Sequence, residues 1–97
     1  MTKIRWTPQA ADDLQAIYDY IARDSPHYAQ LTVEKILSAI DSLKYHPHMG
    51  RHVPEKPRDD LRELIRSPYR IVYRTGEVVK ILTIFRSSRS FPEIELD

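Results

Sequence analysis

The stretch Leu61–Arg89, LRELIRSPYRIVYRTGEVVKILTIFRSSR, decides the fold. It reads as three consecutive antiparallel strands. Successive strand side chains point to opposite sides, so Tyr69, Ile71 and Tyr73 share one face while Arg70, Val72 and Arg74 share the other. Thr75-Gly76-Glu77 is a compact turn signal, and the β-branched run VVKILTIF that follows makes a hairpin with the preceding strand. A three-residue loop would put Arg70, Val72, Arg74, Lys80, Leu82, Ile84 and Arg86 on one face. A two-residue loop would instead pair Arg70 and Arg74 with Thr83 and Phe85, and the sequence leaves both registers open.

Charge is concentrated in the same segment. From Arg62 to Ser90 there are six Arg and one Lys against Glu63 and Glu77, a net of +5, whereas residues 1–50 hold five basic and six acidic side chains. The formal net charge of +1 hides this asymmetry. A basic face attracts a polyanion or an acidic protein segment, although a plain solvated strand face has the same composition.

Working outward, Lys3–Trp6 is a short strand candidate that joins the later sheet. Thr7-Pro8 starts a helix: the hydroxyl accepts from an orphan backbone N–H, and Pro at the first helical position lacks only an N–H that needs no partner. Asp12 and Asp13 follow in the early turns, where they favour the positive end of the helix dipole. Leu14, Ile17, Tyr18 and Ile21 form its apolar stripe, so the helix is expected over Pro8–Arg23. Ser25-Pro26 repeats the start signal, and Ala29, Val33, Ile36, Leu37, Ile40 and Leu43 carry a second helix to about Tyr45. Two helices joined so tightly form an antiparallel hairpin. Residues 46–60, HPHMGRHVPEKPRDD, then cross to the sheet as a loop long enough to point to a binding role.

The expected fold is α+β: an N-terminal strand and a two-helix hairpin packed on one face of an antiparallel sheet of about four strands. The opposite face is expected to stay open and to carry the arginines. With 97 residues the chain makes one domain, 1–97, burying roughly 60–65% of its unfolded surface. No apolar run approaches the ~20 residues that span a bilayer, and the first residues lack a secretory pattern, so no membrane partner and a cytoplasmic location are expected. The absence of cysteine excludes disulfides and Cys-ligated zinc, and two glycines exclude glycine-rich nucleotide motifs.

His46, His48 and His52, with Glu55 as a fourth group, invite a metal reading, but they have neither a helical face nor Cys support, and surface histidines are expected instead. No cofactor is expected. Metal-free RNA cleavage would need a base, an acid and cations for the phosphate. Arg70, Arg74, Arg86 and Arg89 could supply the cations, while Glu63 and the loop histidines are the nearby proton-transfer candidates. Tyr69, Tyr73, Phe85 and Phe91 alternate with the basic residues, which suits either base stacking or a sheet core.

Four pieces in this order, WTPQAADDLQAIYDYI, HPHMGR, LRELIRSPYRIVYR and VVKILTIFRSSR, resemble the RelE/ParE superfamily of toxins from bacterial type II toxin–antitoxin systems. The resemblance covers nearly the whole chain. It implies an open antiparallel sheet under two helices and a cognate antitoxin whose C-terminal segment wraps the toxin. RelE-like members cleave mRNA on the ribosome with basic residues and a tyrosine near the C-terminus. Arg70 and Arg86 match two such arginines, but Arg62 and Glu63 stand where those nucleases carry lysines, and the late aromatic is Phe91, which has no hydroxyl. GRHVPE, LREL and YRIVYR look more like ParE, whose members inhibit DNA gyrase and are not enzymes. ParE members often carry His after the final strand, where this chain reads Phe85-Arg86-Ser87-Ser88-Arg89. The resemblance thus implies a ParE-like growth-inhibiting toxin without catalytic residues, neutralised by a ParD-like antitoxin with an acidic C-terminal segment, with Arg70, Arg74, Arg86, Arg89 and Phe91 as contacts. The alternative is a RelE-like ribosome-dependent endoribonuclease acting on mRNA through Glu63, Arg70 and Arg86.

Overall fold

A computed structural model describes residues 1–96. The chain runs β1 (Lys3–Trp6), α1 (Pro8–Ala22), α2 (Pro26–Asp41), a 3₁₀ turn (Ser42–Lys44), β2 (Arg51–His52), β3 (Leu61–Arg66), β4 (Tyr69–Arg74) and β5 (Val78–Arg86). Both helix starts form as their sequences dictate. Thr7 Oγ1 accepts from the Ala10 N–H at 3.1 Å, Ser25 Oγ accepts from the Tyr28 N–H at 3.1 Å, and each is followed by proline. Thr7 also donates to the Ile81 carbonyl at 2.9 Å, which ties the first turn of α1 to the sheet.

The two helices pack on one face of the sheet, and the fold is α+β as expected. The sheet itself has five strands in the order β1-β5-β4-β3-β2 and is mixed, because β1 runs parallel to β5. The chain leaves β1, crosses over through the helical hairpin to the far edge, and meanders back until β5 lies beside β1. The fifth strand comes from the expected loop, where Arg51 and His52 pair with Glu63 and Arg62. Its seat depends on Gly50, whose N–H donates to the Tyr73 hydroxyl at 2.9 Å. A Cβ at position 50 would lie 2.6 Å from that oxygen and 2.7 Å from the Glu63 carbonyl, so only glycine allows the approach.

Between β4 and β5 the register shifts at Val72/Tyr73: Tyr73 faces Ile81 whereas Val72 faces Thr83, leaving Leu82 as the extra residue of a bulge. Both registers open in the sequence are therefore realised, one on each side of the bulge. Near the turn Arg74 sits opposite Lys80, and beyond the bulge Arg70 sits opposite Phe85 and Tyr69 opposite Arg86. Asp13 of α1 meets the bulge, accepting from the Thr83 hydroxyl at 2.6 Å and the Ile84 N–H at 3.0 Å. That is a different use from the dipole role its position suggests.

The helix-side core joins Ile36, Ile40 and Leu43 to Leu64, Ile71, Tyr73, Ile81 and Ile84, with Leu14, Ile17 and Ile21 packed against it. The other face is not open. Val53, Leu61, Val72, Leu82 and Phe85 form a second buried cluster, and Phe91, Ile94 and Leu96 pack against it. The terminal segment is held by Gln9, which donates to the Glu93 carbonyl at 3.0 Å, and by Arg74, which donates to the Leu96 carbonyl. Four of the second-face residues on β3, β4 and β5 are aliphatic or aromatic, so leaving them in water would cost about 25 cal/mol for each Å² exposed. Cover follows from that composition.

Candidate functional site

Glu63 is the centre of the second face. Strand alternation places it with Leu61, pointing away from the helices, and the register sets it between Arg51 of β2 and Val72 of β4. Its side chain is fully buried, and each oxygen accepts from a different guanidinium: Oε2 from Arg51 Nε at 2.7 Å and Oε1 from Arg70 Nε at 2.7 Å. A buried carboxylate is tolerable only when paired and hydrogen-bonded in this way.

Arg70 turns its two terminal nitrogens to Glu55. Nη1 reaches Oε2 at 2.8 Å and Nη2 reaches Oε1 at 2.7 Å, a two-pronged match of fork to carboxylate. Its guanidinium carbon lies 5.0 Å from the ring centroid of Phe85 and 5.5 Å from that of Phe91, and the two rings meet edge to face at 5.5 Å and 78°. The hydrogen bonds from Arg70 hold the Glu55 carboxyl well below its ordinary value, at about 2. The same bonds to Glu55, joined by those to Glu63, raise the Arg70 pKa against the opposing effect of burial. The result is a neutral cluster of two cations and two carboxylates, walled by phenyl rings.

The residues singled out from the sequence fall into two groups. Arg70, Glu63 and Phe91 come together as described, and Arg74 lies further along the same face near the chain terminus. Arg86 does not join them. The bulge turns it to the helix-side face, where its guanidinium carbon sits 5.7 Å from the Tyr69 ring centroid. Arg89 is exposed in the turn after β5, its N–H bonded to the Arg86 carbonyl at 3.0 Å. Tyr69, Tyr73 and Phe85 are core residues. Arg62 holds the loop before β2, donating to the Gly50 carbonyl at 2.8 Å and the His48 carbonyl at 3.2 Å.

Arg51 and Glu55 complete the cluster and were not legible as partners. Glu55 sits fifteen positions before Arg70 with no periodicity linking them. For Arg51, the alternation of Arg51 and Val53 about His52 is the only local signal of a strand. Among the described residues no group of three or more His, Cys, Asp or Glu is placed to hold a metal ion, and no helix is long and apolar enough to cross a membrane.

Comparison with known proteins agrees with this geometry. Residues 4–91 match the family described as the ParE toxin of the type II toxin–antitoxin system parDE. Y4kP of Sinorhizobium fredii is 36% identical over 94 residues, covering 95% of each chain. Toxin RelE2 of Caulobacter vibrioides is 37% identical over 91 residues, covering 92% of this chain and 99% of its own. A solved structure of the chromosomal ParDE toxin–antitoxin system from P. aeruginosa superposes with a TM-score of 0.71 at 32% identity, over 89% of this chain and 96% of the other. With residues 4–91 matched by the family, the chain belongs to the ParE toxin family of type II toxin–antitoxin systems.

Proposed function

We propose that this toxin arrests growth by binding DNA gyrase in the cytoplasm, without catalysis of its own, and that a ParD-like antitoxin neutralises it through an acidic segment. The observation that carries the reading is the state of Glu63. It is the carboxylate that the ribonuclease alternative would use, yet it is fully buried and both oxygens accept from guanidinium groups. A general base must reach the proton it removes. Two further features support binding over cleavage: Arg86 lies on the opposite sheet face from Arg70 and Glu63, and Phe91 has no hydroxyl. The exposed Arg86 and Arg89, with Arg74 and the half-buried Phe91, are the proposed contacts for antitoxin or target. Arg70 contributes from within, through the cluster.

The alternative, an mRNA endoribonuclease using Glu63, Arg70 and Arg86, has a relative bearing the RelE name. Pulse-labelling in the minutes after inducing the toxin alone separates the two. The proposed function predicts that DNA synthesis falls while protein synthesis continues; an earlier collapse of protein synthesis overturns it.

A further inference from the structure

We propose that Arg70 is a preformed receptor for a carboxylate brought by a partner peptide, and that Glu55 is an internal carboxylate occupying it until the partner arrives. The direction of the fork does not depend on Glu55. Arg70 Nε is fixed by the fully buried Glu63, whose other oxygen is held by Arg51, so the orientation of the guanidinium is set from its Nε side and leaves Nη1 and Nη2 to Glu55. The Arg70 side chain is only 10% exposed whereas that of Glu55 is 42% exposed, so solvent reaches the fork through Glu55.

Glu55 is the member of the cluster that comes from a turn and not from a strand. It lies outside regular secondary structure, between buried Val53 and the Arg58–Asp60 ion pair at 2.8 Å, with a proline on either side of the Glu55-Lys56 dipeptide. Rotation of its side chain uncovers the fork without disturbing either anchor. Arg51, Arg70 and Glu63 then carry a net single positive charge, which one carboxylate restores to neutrality. The site is shaped for a planar pair of oxygens at 2.7 and 2.8 Å, the geometry Glu55 now supplies. Phe85 and Phe91 wall the guanidinium, and the half-buried Phe91 lends apolar surface to a peptide lying across it. That the arriving carboxylate belongs to an antitoxin rests on the proposed function; the site itself does not, and the two can fail separately.

The test is chemical rescue. The Glu55→Ala variant removes a surface carboxylate and leaves the buried pairs in place. Its thermal unfolding is followed with added sodium formate, and with sodium chloride and sodium phosphate at equal ionic strength. The proposal predicts a saturable rise in the midpoint of roughly 4 °C in formate beyond that in chloride, with a smaller rise in phosphate and no formate-specific rise in the wild type. The Arg70 side-chain NMR resonance should move with formate in the variant and stay in place in the wild type. Equal responses to formate and chloride in the variant, or an unmoved Arg70 resonance, overturn the receptor. A larger response to phosphate than to formate overturns its assignment to carboxylates.

Discussion

Glu63 and Glu55 bind the same guanidinium, the first fully buried and the second on the surface. Removing one partner of a buried ion pair leaves an uncompensated charge in a medium that solvates it poorly. Glu63→Gln leaves Arg70 bonded to Glu55 and Arg51 in contact with solvent, so it is expected to destabilise the fold by roughly 1.5–3 kcal/mol through the weakened charged hydrogen bonds, read by urea unfolding, and unchanged stability would contradict the pairing described. Glu55 is a surface group whose pKa is depressed from 4.5 to about 2 by its bonds to Arg70. Its contribution to stability is complete above the unfolded value and is lost as pH falls from 4.5 towards 2. The stability difference between wild type and Glu55→Gln should therefore shrink across that window, as measured by unfolding at stepped pH. A difference that stays constant would mean the Glu55–Arg70 bonds are absent in solution. The alternation that put Arg70 and Val72 on one face was legible in the sequence, but the acids that neutralise Arg70 were not, because ion pairs across strands and loops leave no local pattern.

The elements themselves were largely legible because each is written in local chemistry: Thr7-Pro8 and Ser25-Pro26 for the helix starts, i,i+3/i+4 stripes for the helices, and the turn at Thr75-Gly76-Glu77 for the hairpin. What escaped was what depends on contacts distant in sequence. β2 is two residues long, below the length at which alternation can be read, and exists because Gly50 lets the chain approach Tyr73. The parallel direction of β1 follows from the crossover rather than from its own residues. The bulge in β5 is a further case: nothing in VVKILTIFR marks Leu82 as extra, and the residue that answers the bulge, Asp13, comes seventy positions earlier. Asp13→Ala removes the acceptor for both the buried Thr83 hydroxyl and the Ile84 N–H. It is expected to cost about 1–3 kcal/mol by urea unfolding, with Asp13→Asn costing less because it keeps an acceptor. A neutral Asp13→Ala would show that the bulge does not need the helix.

At the scale of the whole molecule, a sheet buried on both faces explains why a basic segment does not make a simple basic face. The helices cover one side, residues 91–96 cover much of the other, and the positive charge is divided between an internal cluster at Arg70 and exposed arginines at the end of β5. The alternation of apolar and charged residues suggested one open side. The apolar FPEIEL segment was available to cover it, but its destination is set by tertiary packing and not by pattern. The proposed binding of gyrase without catalysis rests on Glu63 being sealed from solvent between two guanidinium groups. The most direct measurement of that claim is DNA supercoiling by purified gyrase with the purified toxin added, scored for covalent gyrase–DNA cleavage complexes. Loss of supercoiling with accumulating cleavage complexes is the predicted result; undisturbed gyrase, together with toxin-dependent cuts in ribosome-bound mRNA, would contradict it.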